Sequence, residues 1–296
     1  MPLHLVLPLV GAVVYVVAAL LLKRAANLGA DVWRTTRIIN YTAAAASTPL
    51  WLFGGTIPSA SSWWQPAFGG LLFLSGQLLT LLALNIGDVS VATPVLGVKI
   101  LLVALLTAVL IGDPIGARLW TAAALSSVAI ALLNFSREHT HGRVGTTIIL
   151  AGLGASAYAL FDVLVQKWSP VWGTGRFLPI AMGCGAVYSL ALRPYGAEPK
   201  APNKDTAIGY RWWLVGGAAC FALQGLMFIT PISIYGNATT ANVLYSSRGL
   251  WSVVAVWAVG HWFSNREQHL GARVLVWRLL GAVLLMIALL IVLLSR

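Results

Sequence analysis

Residues Asp88 to Ile111 read DVSVATPVLGVKILLVALLTAVLI, and this run decides the fold. It is apolar along nearly its whole length, and a helix needs about 20 such residues to cross a bilayer. Lys99 falls near its centre, about 16 Å of helix from either end at 1.5 Å per residue. An ammonium at that depth costs about 2.5–3.5 kcal/mol by insertion scales. Local helix packing gives no reason to put one there. A second run, Asn237 to Val259 (NATTANVLYSSRGLWSVVAVWAV), repeats the arrangement around Arg248. A shift of 149 residues lays Gly87 on Gly236, Asp88 on Asn237, Ala92 on Ala241 and Lys99 on Arg248.

The rest of the composition agrees with a membrane setting. The chain has 296 residues, 59% hydrophobic and 9% charged, with 13 Trp. A soluble domain carries about 25% charged residues. The net charge of +11 is therefore not a nucleic-acid signal, since no basic cluster lies on a polar domain. Basic residues in membrane proteins mostly flank helices and set their orientation. Cys184 and Cys220 lie in separate apolar segments and read as free buried thiols. Leu3 to Leu22 lacks a basic start and a small-residue cleavage site, so it reads as a first span rather than a signal peptide.

Ten spans are expected, at about 3–22, 35–53, 64–85, 89–111, 118–135, 146–166, 175–192, 212–232, 237–259 and 274–294. The polar break at Ser136 to Arg143 falls mid-chain, and the loop from Arg193 to Arg211 is the longest connection. Gly11 and Tyr15 correspond to Gly154 and Tyr158, and Gln77 to Gln224. The expected fold is thus an all-α membrane protein of two five-helix repeats, residues 1–137 and 138–296. An odd number of helices per repeat inverts the second copy. Inverted repeats mark secondary transporters, with the substrate site near the midplane between them. Thirteen loop Lys and Arg on one side against four on the other place both termini outside by the positive-inside rule.

The segment ALNIGDVSVATPVLGVKILLVALLTAVLIGDPI (Ala83 to Ile115) and WRTTRIINY (Trp33 to Tyr41) resemble the drug/metabolite transporter superfamily, close to its ten-helix EamA-type members. The likeness covers the whole chain as a five-plus-five layout. The family's Gly-Glu after span four is Gly112-Asp113 here, and after span nine the acid is Glu267, displaced behind GHWFSNR. The resemblance implies a secondary carrier with both termini in the cytoplasm, which disagrees with the charge count. Central basic residues are reminiscent of the sugar-phosphate and nucleotide-sugar branches, where they hold phosphate.

Lys99 and Arg248 read as an anion site: a guanidinium fork and a point charge in low dielectric suit phosphate, carboxylate or sulfonate. The bland reading pairs them with buried acids or helix carbonyls, and a third gives Lys99 a purely proton-coupling role. Gln77 and Gln224 either orient a substrate or bond between helices. Asn242, Tyr245 and Arg248, three apart, share one face of a helix, which turns either to a cavity or to a neighbouring helix. Asp162, four residues after Tyr158, either carries a coupling proton, neutralises a central cation, or sits in the last turn of its span near Lys167. Tyr15, Asn40 and Tyr41 are further cavity candidates. Pro94 is expected to kink span four. Trp63-Trp64 and Trp212-Trp213 read as belt residues at the headgroup level. His139, His141, His261 and His269 have no metal-ligand spacing, and no phosphate-binding G-x-x-x-x-G-K-[ST] loop is present.

The expected function is a secondary carrier in a bacterial inner membrane, moving a small organic solute with an anionic group by alternating access, with no enzyme activity, cofactor or metal. The alternative is a flippase or transporter of a lipid-linked phosphate, with the same cations on the headgroup. The expected partners are that substrate and the membrane lipids. Substrate identity, direction, coupling ion and oligomeric state are not encoded in these patterns.

Overall fold

The computed structural model describes residues 2–86, 89–112, 114–133, 144–192, 204–259 and 272–294. The expectations placed on Gly87, Asp88, Asp113, Glu267, the four loop histidines and the 137/138 boundary lie outside these residues. All described regular structure is helical, and no strand occurs among the described residues. The helices are α1 (Leu3–Asn27), α2 (Val32–Ser47), α3 (Trp64–Ile86), α4 (Val89–Gly97), α5 (Lys99–Leu110) and α6 (Ala117–Leu133). They continue as α7 (Val144–Trp172), α8 (Thr174–Ser189), α9 (Lys204–Tyr235), α10 (Ala238–Tyr245), α11 (Arg248–Val259) and α12 (Ala272–Leu294). Six segments are long and apolar enough to cross a membrane: Leu3–Asn27, Ala60–Ile86, Val91–Leu110, Val144–Trp172, Tyr210–Tyr235 and Val276–Leu294. Together with large exposed apolar side chains such as Val109, Leu279 and Leu290, they mark an integral membrane protein, because water would not tolerate that surface.

Small residues decide which helices lie closest. α1 runs along α9, α3 along α7 and α8, and α12 along α6. Gly11 of α1 sits against α9, where a Cβ would come within 3.3 Å of the Gln224 carbonyl oxygen. Gly154 of α7 sits against α3, where a Cβ would come within 2.9 Å of Thr80 Oγ1 and 3.2 Å of the Thr80 nitrogen. Gly70 of α3 meets α8 so closely that a Cβ would lie 2.8 Å from the Gly185 nitrogen. Backbone-to-backbone approach of this kind is how membrane helices gain dispersion energy without a hydrophobic drive between them. Gly154→Val is accordingly expected to cost about 1–3 kcal/mol through overpacking, read as a lower unfolding midpoint in detergent. An unchanged midpoint would mean that α3 and α7 move apart freely.

Each of the two runs singled out in the sequence is broken beside its cation. The first is interrupted at Val98, whose N–H bonds the Val95 carbonyl at 3.1 Å in the tighter i→i−3 pattern. Gly97 lets α6 press in, since a Cβ there would meet Ile130 Cγ2 at 2.9 Å. The Gly97 carbonyl accepts the Ser127 hydroxyl at 3.1 Å. Pro94 lies inside α4, one turn before the break. The second run is interrupted at Ser246-Ser247. There the Ser246 hydroxyl donates to the Val243 carbonyl at 2.5 Å, a local bond that competes with the helix ladder. Ser247, Gly249 and Leu250 then bond three residues back, at 3.1, 3.0 and 2.9 Å. Lys99 and Arg248 are each the first residue after the break. A mid-helix 3₁₀ turn marks a hinge or a strained sequence.

The span expected at 146–166 is longer than its apolar run suggests. α7 continues through Pro170 to Trp172, and its tail is held by buried aromatics. Trp172 Nε1 donates to Gln65 Oε1 at 2.8 Å, and Trp63 packs edge-on against it at 5.7 Å. Gly173 then turns the chain into α8 with φ of 76°, the left-handed region that glycine enters without strain. This corrects the bland reading of Asp162 as a last-turn residue: it lies more than two turns inside α7 and is 1% exposed. Lys167, expected beside it, instead caps α5 by donating to the Leu110 carbonyl at 2.9 Å. Cys184 and Cys220 are both free thiols, as expected, but each is half-buried rather than buried, because each helix face turns partly outward.

Candidate functional site

The bundle holds a partly open cavity of about 440 Å³, walled by parts of every described α-helix. Seven residues selected from the sequence line it: Tyr15, Lys99, Tyr158, Asp162, Gln224, Tyr245 and Arg248. They arrive from α1, α5, α7, α9, α10 and α11, far apart in sequence. The two cations line it from the first residues of α5 and α11, directly after the tightened turns.

The two cations are held differently. Lys99 Nζ lies 2.8 Å from Asp162 Oδ2. It also stands over the rings of Phe228, at 5.0 Å, and Tyr158, at 5.4 Å. Asn242 Nδ2 donates to the same Asp162 Oδ2 at 2.8 Å and to the Ala238 carbonyl at 3.0 Å. Lys99 is therefore neutralised by a carboxylate, one of the roles open to Asp162 in the sequence. Arg248 is not. Its guanidinium carbon stands 4.7 Å from the ring centroids of Tyr15 and Tyr245, and no carboxylate among the described residues lies in salt-bridge range of it. Aromatic faces hold a cation through their quadrupole without cancelling its charge. The Tyr245 hydroxyl donates to Gln224 Oε1, and Gln224 Nε2 donates to the Phe221 carbonyl at 2.9 Å. Tyr245 is thus fixed under the guanidinium.

Several selected residues have other work. Asn40 Nδ2 donates to Gln77 Oε1 at 2.8 Å and to the Thr36 carbonyl at 2.9 Å. Both side chains are nearly fully buried and neither lines the cavity; they join α2 to α3. The matched glutamines have therefore parted company: Gln224 is at the cavity and Gln77 is interhelical. Asn242 also stays out of the main cavity, acting on it through Asp162. Tyr41 is largely exposed.

Sequence reasoning missed two features. Arg278, counted among the loop charges, lies inside α12 and lines the cavity. Its position four residues into the expected span at 274–294 was the available signal. The aromatic wall of Phe73, Phe161, Phe221 and Phe228 was also unmarked, because a phenylalanine in a membrane helix has no distinguishing context. Among the described residues the charged groups lining the cavity are thus three cations and one carboxylate, in a space with largely apolar walls.

No family model matches the chain, and no curated protein matches it. Among solved structures, one described as "Crystal structure of protein" superposes with a TM-score of 0.69 at 14% identity, covering 99% of this chain and 99% of that one. At that identity the likeness shows the fold alone. The shared fold extends end to end.

Proposed function

We propose that the chain is a secondary active transporter of the drug/metabolite type in a bacterial inner membrane, moving a small organic solute with an anionic group by alternating access. The observation that carries this reading is Arg248: a half-buried arginine at a cavity wall, its guanidinium seated on two tyrosine rings with no carboxylate in reach among the described residues. A guanidinium in such a place attracts a carboxylate, phosphate or sulfonate through two parallel charge-assisted bonds. Arg278 adds to the same field. The apolar and aromatic walls take up the body of the solute.

The packing pattern supports two five-helix repeats, residues 1–137 and 138–296. Taking the two broken runs as one span each makes ten spans, and exchanging each span with the one five places on maps contacts onto contacts. α1 against α9 becomes α7 against α3, and α2 against α9 becomes α8 against α3. α4 and α5 against α7 become α10 and α11 against α1. Gly11 against α9 and Gly154 against α3 are counterparts in the same exchange. Transporters of this build bind solute at discontinuous helices between repeats, and the breaks beside Lys99 and Arg248 fit that role.

The test is a thermal-stability screen in detergent with organic phosphates, carboxylates, amino acids and amines. Anions are expected to raise the unfolding midpoint of the parent and to lose that effect when Arg248 is replaced by Ala. Stabilisation by amines and not by anions would contradict the reading. A polyprenyl-phosphate arm separates the lipid-linked alternative, which predicts that stabilisation requires the tail.

A further inference from the structure

The reading above leaves Lys99 occupied, and its partner is placed to release it. The hydrogen bonds that Asp162 accepts from Lys99 and Asn242 both fall on Oδ2. Among the described residues none falls on Oδ1, while Asp162 itself lines the cavity. An ionised carboxylate accepts only; a protonated one is neutral, keeps an acceptor oxygen, and loses the charge attraction that holds the ammonium. We propose that Asp162 is a proton-binding site that hands Lys99 to the solute, so that one proton and one anion are carried together. This rests on the anion-carrier reading and adds the coupling ion and the direction of coupling.

The step balances. With Asp162 ionised, Lys99 is in a neutral pair and the cavity offers Arg248. A proton from cavity water forms an O–H bond at Oδ1, and the Lys99 ion pair opens. The ammonium turns to the anion, whose negative charge replaces the one lost at Asp162. The summed charge of protein and solute at the site is then the same empty and loaded. On the far side the anion leaves, the proton is lost to water, and Lys99 returns to Oδ2. Asn242 keeps the carboxyl in place throughout, anchored by its bond to the Ala238 carbonyl.

The charged and titratable groups around Asp162 come from several helices. Lys99 comes from α5, Arg248 from α11, Arg278 from α12, Tyr158 from α7 itself, Tyr15 from α1 and Tyr245 from α10. α3 and α4 carry no titratable residue. α9 turns Phe221, Gln224 and Phe228 to the cavity, and α8 turns Met182. Asp162 is the one carboxylate among the described residues lining this space. The pair ties α5 to α7, so opening it loosens the first run beside its tightened turn, while the Asn242 bond keeps α10 on α7.

The experiment uses the purified full chain in detergent with benzenesulfonate, which stays ionised across the pH range used. Titration calorimetry in two buffers of different ionisation enthalpy counts protons taken up on binding. About one proton per anion is expected, with affinity rising about tenfold for each pH unit lowered through the titration of Asp162. Asp162→Asn, which imitates the protonated acid, is expected to bind at every pH with the parent's low-pH affinity and to take up none. Binding of benzenesulfonate by the parent without proton uptake, or uptake that persists in Asp162→Asn, overturns the proposal while leaving the anion site standing. Binding of benzyltrimethylammonium in place of benzenesulfonate by the parent overturns the underlying reading as well. The parent's proton count alone decides the matter should the variant fail to fold.

Discussion

Asp162→Ala is expected to unfold in detergent with a loss of about 3–5 kcal/mol, the usual cost of leaving one partner of a buried ion pair uncompensated. The loss arises because Lys99 is left among Phe228, Tyr158 and the apolar wall while its 2.8 Å partner is gone. Asn242 also loses the acceptor that it shares with Lys99. Two controls separate this from general damage. Replacing both members, as Lys99→Met with Asp162→Leu, is expected to recover most of the stability, since a buried pair is often no better than apolar residues of similar volume. Added benzenesulfonate is expected to stabilise Asp162→Ala more than the parent, because the sulfonate takes the place of the carboxylate beside Lys99. If the double variant is as unstable as the single one, the ion pair does not account for the loss.

Replacing Arg248 by Met is expected to abolish most anion binding, by about 2–5 kcal/mol, as found when a buried charged partner is removed. Met is chosen because it keeps an unbranched stem beside Tyr15 and Tyr245, whose rings the guanidinium covers, whereas truncation to Ala would remove side-chain volume along with the charge. Arg248→Lys is expected to recover only part of the affinity: an ammonium keeps the charge but lacks the planar fork. Isothermal titration on parent and both variants measures this. Equal affinity in parent and Arg248→Met would place the anion elsewhere.

Much of this site could be read before any coordinates, because charge in a bilayer is conspicuous. Lys99 and Arg248 stood out by depth alone, and the shift of 149 residues tied them together. Tyr15 and Tyr158 followed from the same repetition, and all four line one cavity. Partnership was not legible. Nothing local says that Gln77 faces Asn40 while Gln224 faces Tyr245, since which neighbour a helix face meets is set by tertiary packing. The breaks at Val98 and Ser246-Ser247 were hidden because Val98 and Ser246 keep helical dihedrals and only the bonding register tightens. The depth of Asp162 was misjudged because Lys167 and Pro170 resemble a helix end, whereas Trp172 packing carries α7 past them. Arg278 was taken for a flanking charge because a cation one turn inside a span often reaches back to the interface.

The most direct measurement is a crystal structure of the protein soaked with 4-iodobenzenesulfonate, with the iodine located by its anomalous signal. The sulfonate is predicted within about 4 Å of the Arg248 guanidinium, with the iodinated ring among Phe73, Phe161, Phe221 and Phe228. Iodine found only outside the cavity, with 4-iodobenzyltrimethylammonium found inside it, would contradict an anion site built on Arg248.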